Sequence, residues 1–237
     1  MRVKAAIVTA FLFLLVGIPA CADSFSFSGP ATFSGQGFGT LYNLLDLHNN
    51  GTETGAVAPS NATMLGFGAC VNPCTGNTLL YGAATNTSAV VTAADLAALG
   101  ITSSSTFGLL YNVNQQGSDL NTYLYPPDPF TVYFYDANGN VLFSASYAGT
   151  TGPFPPTEQN GQGTSGWLFT LSGTDFASNF SNIAYIGQSG TVGNSNSGAE
   201  GWSVVNPGSA NVPEPASMVL LGGGLVALAG CIRRRVK

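Results

Sequence analysis

The chain has 237 residues, of which 7% are charged, with six basic residues against eleven carboxylates and a net charge of −5. The basic residues are Arg2, Lys4, Arg233, Arg234, Arg235 and Lys237, so the interval from Ala5 to Ile232 contains no Lys or Arg and all eleven carboxylates. Without cations this interval can neither displace phosphate counterions nor grip phosphate groups, which excludes nucleic-acid binding and Arg- or Lys-based phosphate recognition.

Met1 to Ala22 reads as a secretory signal. Arg2 and Lys4 form a positive start, Ala5 to Ile18 is an apolar run, and Ala20-Cys21-Ala22 fits a small-x-small cleavage pattern. Cleavage is expected between Ala22 and Asp23. A rival reading makes Cys21 the lipidated residue of a lipoprotein signal, although Ile18-Pro19-Ala20 fits that pattern poorly.

About 190 residues remain between the two terminal segments, enough for one all-β domain with a real core. Ser24 to Gly29 alternates, with Phe25 and Phe27 on one face, and reads as a first strand. Phe33 to Leu47 holds one or two more strands, His48-Asn49-Asn50-Gly51 is a turn, and Gly51 to Thr63 reads as a polar loop. Cys70 and Cys74 flank Val71-Asn72-Pro73 and are the only cysteines outside the two terminal segments. In an oxidising compartment they favour a disulfide, worth roughly 2 kcal/mol for so short a loop. Without a second pair or a nearby His they do not make a zinc site.

Asn77 to Ala83 is a further strand. Thr92 to Gly100 is the one clear helix: Thr92 caps it, Asp95 stands at the capping-box position, Leu96 and Leu99 share a face, and Gly100 ends it. Phe107 to Val113 is a strand. The clearest hairpin runs from Phe130 to Tyr147, with Phe130, Val132 and Phe134 alternating against Thr131, Tyr133 and Tyr135, and Asp136 to Asn140 at its turn. Asp136-x-Asn138-x-Asn140 has the spacing of a calcium-loop start but lacks the later bidentate Glu, and turn chemistry accounts for it. Trp167 to Leu171, Ile183 to Gly187 and Trp202 to Val205 are strands. Gly173 to Asn182 has room for a helical turn, and Gln188 to Gly201 reads as a polar, Gly-rich connection.

His48 is the only histidine, so any Ser-His-Asp site must use it, with Asp46 two residues away. No Gly-x-Ser-x-Gly elbow accompanies it, and the pair reads as a strand end and a surface turn. Glycoside hydrolysis needs only two carboxylates, and Asp128, Glu158, Asp175 and Glu200 are available, but no pair stands out. Tyr123, Tyr125, Tyr133, Tyr135 and Trp167 can be read as a platform for sugar rings or as ordinary strand packing. No catalytic residue, metal site or cofactor site is assigned.

The tail begins with Val212-Pro213-Glu214-Pro215, continues with the seventeen uncharged residues from Ala216 to Ile232, and ends with Arg233-Arg234-Arg235-Val236-Lys237. As a helix the uncharged run spans about 26 Å, the short limit for a bilayer. Pro213 and Pro215 stop it from extending upstream, and the basic end stays cytoplasmic. These features resemble the PEP-CTERM sorting signal of Gram-negative bacteria, in residues 211–237 only. The resemblance implies an exosortase as processing partner, a transient inner-membrane intermediate, cleavage near the Pro-Glu-Pro box, and delivery to the cell surface or extracellular matrix.

The reading is therefore a signal helix (1–22), an all-β domain (23–205), a linker (206–211) and a sorting tail (212–237) with a transmembrane helix at 216–232 and a basic end at 233–237. Some nine or ten short strands point to an antiparallel β-sandwich with one short helix, a jelly roll being one arrangement. The expected role is non-enzymatic, structural or adhesive, in exopolysaccharide or biofilm matrix. The alternatives are a carbohydrate-binding module and, behind it, a glycan-active enzyme.

Overall fold

The structure, a computed structural model, describes residues 23–33, 41–62, 78–113, 122–125, 129–155, 165–196 and 200–209. The expected signal segment, the Cys70–Cys74 pair, the membrane span and the sorting box with its basic end lie outside the described residues. Among the described residues no helix is long and apolar enough to cross a membrane.

Among the described residues twelve strands form: β1 Ser24–Thr32, β2 Tyr42–Leu47, β3 Asn50–Pro59, β4 Thr78–Gly82, β5 Val91–Thr92, β6 Gly108–Asn112, β7 Tyr123–Leu124, β8 Phe130–Tyr135, β9 Val141–Tyr147, β10 Ser165–Ser172, β11 Tyr185–Asn196 and β12 Glu200–Val205. Two short helices, α1 Ala93–Ala98 and α2 Asp175–Asn179, accompany them.

All twelve strands belong to one hydrogen-bonded sheet, ordered β2-β12-β6-β10-β1-β9-β8-β11-β3-β4, with β5 and β7 pairing onto β11. Every pairing is antiparallel except β1 with β9, which meet in parallel at Ser24 and Ser146 alone. That contact joins two antiparallel runs of five strands. At the far ends, Leu47 bridges Ala84, and the amide of Thr85 donates to Asp46 O at 2.8 Å. The sheet thus curls until its two ends meet. The expected all-β fold is present as one curled sheet whose two five-strand runs form two leaves, and the parallel seam departs from a purely antiparallel arrangement.

The inner faces of the leaves share one aromatic core. Phe25 of β1 lies 5.3 Å from Phe130 of β8, and Phe169 of β10 lies 5.2 Å from Phe130 and 4.8 Å from Tyr147. On β8 the expected alternation holds: Phe130, Val132 and Phe134 are buried in this core. Tyr135, on the outer face, is buried in a second cluster with Ala56, Ala58, Ala62 and Tyr81.

Helix α1 forms as its residues dictate. Thr92 Oγ1 accepts from the Asp95 amide at 3.3 Å, and the Asp95 carboxylate accepts from the Thr92 amide at 2.8 Å, which completes a capping box. Gly100 follows at φ +67°, a left-handed stop. At the start of the expected linker, the Asn206 side chain donates to Leu99 O and Gly100 O, carbonyls left free at the helix end.

Two segments differ from expectation. Gly51 to Thr63, expected as a loop, lies mostly in the ten-residue strand β3. Gln188 to Gly201, expected as a connection, supplies most of the twelve-residue β11. Both are poor in β-branched and aromatic residues, the usual strand signal. Small residues are needed there: Gly55 pairs with Gly190, and a Cβ at Gly55 would lie 2.5 Å from Leu47 Cδ2. The crowding of neighbouring side chains selects glycine, so propensity misleads.

Candidate functional site

On β3 the side chains alternate, with Glu53, Gly55 and Val57 on the inner face and Thr54, Ala56 and Ala58 outside. On β11 the register shifts between Val192 and Ser195, and Asn194 takes φ +61°. This bulge carries Ser195 to Glu53 of β3 and Glu200 of β12. Ser195 Oγ lies 2.7 Å from Glu53 Oε1, 2.9 Å from Glu200 Oε2 and 3.1 Å from the Asn49 carbonyl. The Asn49 amide also donates to Glu53 Oε1, at 2.5 Å.

Proton counting defines the state of this group. A serine hydroxyl carries one proton and here faces three acceptor oxygens. Two ionised carboxylates around it would leave contacts without a proton. A proton held by one carboxyl group reduces that shortage and removes one of two buried like charges. Glu200 is fully buried, and burial together with the charges of Glu53 and Asp46 pushes its pKa up to about 9. Glu200 is thus a neutral acid at neutral pH, and the Ser195 hydroxyl donates toward it and toward Glu53. Glu53 is 1% exposed, and burial raises its pKa also.

Asp46 lies close by, on the outer side of β2. Its Oδ2 accepts from Thr85 Oγ1 at 3.1 Å and from Thr87 Oγ1, while burial raises its pKa. His48 is exposed and lines an open depression of about 650 Å³ with Asn49, Ala83, Thr85 and Asn86. The Asp46 carboxylate is engaged by threonines, and Ser195, the serine nearest the acid group, is buried against Glu53 and Glu200. No Ser-His-Asp arrangement forms from these residues.

The same interior holds polar atoms without a partner among the described residues: both ends of the Gln188 amide, Trp202 Nε1 and Glu53 Oε2. Trp202 stacks on Tyr111 at 4.7 Å and passes within 3.4 Å of the Cβ position of Gly190. Tyr111 Oη shares a hydrogen bond with Thr122 at 2.9 Å, and burial raises its pKa well above the ordinary value.

The other expected candidates separate. Asp136 Oδ1 accepts from the amides of Asn138 and Asn140, and Oδ2 from the Asn140 side chain at 3.0 Å. Those bonds hold its pKa below the usual range and use the carboxylate to close the turn. Among the described residues no group of three or more His, Cys, Asp or Glu is placed to hold a metal ion. The five aromatics do not make one platform. Tyr133 and Tyr135 lie together on β8 at 6.3 Å, Trp167 of β10 lies 5.9 Å from Phe27 of β1, and Tyr123 and Tyr125 stand exposed at β7. Of the available carboxylates, Asp128 and Glu158 lie outside the described residues, and Asp175 is the first residue of α2.

The Glu53–Ser195–Glu200 group was not legible in the sequence, because all three of its members lie in segments read as loops or connections. The period-2 pattern Glu53-Thr54-Gly55-Ala56-Val57-Ala58 was the available signal.

Comparison with known families matches residues 211–235 to the PEP-CTERM protein-sorting motif. The tail is a PEP-CTERM sorting motif. The matched stretch contains Val212, Pro213, Glu214, Pro215, Arg233, Arg234 and Arg235. The motif marks the chain for export and membrane-anchored sorting, with an exosortase as the processing partner. No curated protein and no solved structure matches the chain.

Proposed function

We propose that the curled β domain is a non-enzymatic structural or adhesive component of an exopolysaccharide or biofilm matrix, placed at the cell surface by its PEP-CTERM tail. The observation that carries this reading is the tail itself, set behind a domain without a single Lys or Arg. Such a domain resists nonspecific capture by phosphate-rich polymers and keeps its solubility through hydroxyls, amides and a modest negative charge. The non-enzymatic part is supported by the acid group: Glu53, Ser195 and Glu200 are closed to solvent, and an acid that no substrate reaches cannot act as a general acid.

The test is made in an exosortase-bearing Gram-negative host. The wild-type chain is expected in the extracellular matrix fraction without Arg233–Arg235. A variant with Pro213→Ala and Glu214→Ala is expected to stay with the membrane, tail intact. Wild-type chain recovered from the matrix with Arg235 still present, or never leaving the membrane, overturns the reading. A carbohydrate-binding role is the second reading, favoured by the register of hydroxyl side chains on the outer face.

A further inference from the structure

One rank of side chains crosses five adjacent strands. Ser172 of β10 pairs with Ser24 of β1, Ser24 with Ser146 of β9, Ser146 with Thr131 of β8, and Thr131 with Ser189 of β11. Each strand carries one hydroxyl at this rank, and each hydroxyl is on the outer face, since the inner neighbours Phe25, Val132 and Ala145 are buried in the core. The rank crosses the parallel seam, where β1 and β9 meet at a single residue pair. The hydroxyls are held in place by one another. Thr131 Oγ1 lies 2.8 Å from Ser146 Oγ, Ser24 Oγ lies 3.4 Å from Ser172 Oγ, and Tyr133 Oη lies 3.5 Å from Ser189 Oγ.

We propose that this rank is a track for one chain of a neutral polysaccharide. The proposal rests on the carbohydrate-binding reading and names its face and ligand class. Neighbouring strands are spaced about 4.8 Å apart, so the rank presents one hydroxyl per step over about 19 Å. That step is close to the advance of one sugar ring along an extended glycan. The Thr131–Ser146 pair consumes one proton in its mutual bond, which leaves one donor and several lone pairs for a polyhydroxyl partner. At the end of the rank Ser172 also donates to the Ser24 carbonyl, and that pair presents lone pairs alone. No charged side chain stands in the rank, and from Ala5 to Ile232 there is no cation to attract an acidic polysaccharide, while the net charge of −5 repels one. The half-buried Tyr133 adds a ring beside the track for a sugar face.

The test is retention of the full-length chain, held in detergent, on insoluble cellulose and on cross-linked dextran, with alginate beads as the anionic comparison. The wild type is expected on at least one neutral polymer, with retention unaffected by added salt, and not on alginate. Thr131→Val combined with Ser146→Ala is expected to weaken retention about tenfold through two lost hydrogen bonds. Should that variant melt early, Ser24→Ala with Ser172→Ala at the exposed end of the rank makes the same test. Absence of wild-type retention on both neutral polymers overturns the proposal, as does retention on alginate. Full retention by folded variants shows that the chain binds glycan through another face, which overturns the track but leaves the carbohydrate-binding reading standing. The matrix role fails separately, in the fractionation test above.

Discussion

The carboxylate of Asp23 accepts the backbone N–H groups of Asp175 and Phe176, at 3.0 and 2.9 Å, across more than 150 residues of chain. Thr174 occupies the N-cap position of α2 but makes no side-chain capping bond. Asp23 supplies it instead, from the residue expected to become the mature N-terminus. Asp23→Ala is therefore expected to destabilise the domain by about 1 kcal/mol, as for loss of a helix cap, with Asp23→Asn milder. Urea melts of the variants check this, and equal stability of Asp23→Ala and wild type would count against the cap.

Gly173 stands directly in front of that carboxylate. Its φ is +138°, and a Cβ there would lie 1.7 Å from Asp23 Oδ1. Gly173→Ala is expected to cost more than Asp23→Ala, because it adds backbone strain to the displaced cap. Combining the two substitutions should cost less than the sum of their separate effects, a coupling readable in a double-mutant cycle.

The acid group makes stability depend on pH in a defined direction. Glu200 titrates near its ordinary value of 4.5 when unfolded and at about 9 when folded. Between those limits the folded chain holds more protons than the unfolded chain, so stability falls as pH rises, by up to about 1.4 kcal/mol per pH unit. Burial raises the pKa of Glu53 and Asp46 as well, which acts in the same direction at the acidic end. Thermal melts at pH 5, 7 and 9 should show a steady decline. Glu200→Gln keeps an oxygen that accepts from Ser195 Oγ and cannot ionise, so its decline toward pH 9 should be much shallower. A wild-type melting temperature that rises from pH 5 to pH 9 would contradict the assignment.

Gln188 is fully buried, and neither end of its amide has a partner among the described residues. A buried amide left unpaired costs roughly 1–3 kcal/mol. Gln188→Met, similar in length and apolar, is expected to leave stability unchanged or raise it by about 1 kcal/mol, measured by urea denaturation. A strong destabilisation would show that the amide is paired in solution, through water or another group.

The Asp136 turn is closed by its own backbone and by Asn140. Adding calcium, or chelating it, is expected to leave the melting curve of the chain where it was. A calcium-dependent rise that Asp136→Ala removes would place an ion in that turn.

Where local residue chemistry decides the structure, the chain was readable in advance. Thr92 with Asp95 forms the capping box, Gly100 ends α1, and the Phe130-to-Tyr147 hairpin has its expected alternation and turn. Where packing decides, it was not. Glu53, Gly55, Gly190 and Ser195 become strand residues through the pairing of β3 with β11, where a Cβ at Gly55 would meet Leu47, and local propensity argues the other way.

The sorting signal of the protein is written in its linear sequence. A sorting machine reads a contiguous tail, so Pro213-Glu214-Pro215, an uncharged run and Arg233 to Arg235 carry their meaning with no fold around them. The charge map is of the same kind, since a domain without Lys or Arg excludes phosphate recognition through those side chains in any conformation. The shared proton of Glu53, Ser195 and Glu200, the distant cap of α2 and the hydroxyl rank across five strands are different. Each joins residues far apart in the chain, and only the curling of the sheet and the register of its strands bring their atoms within bonding distance.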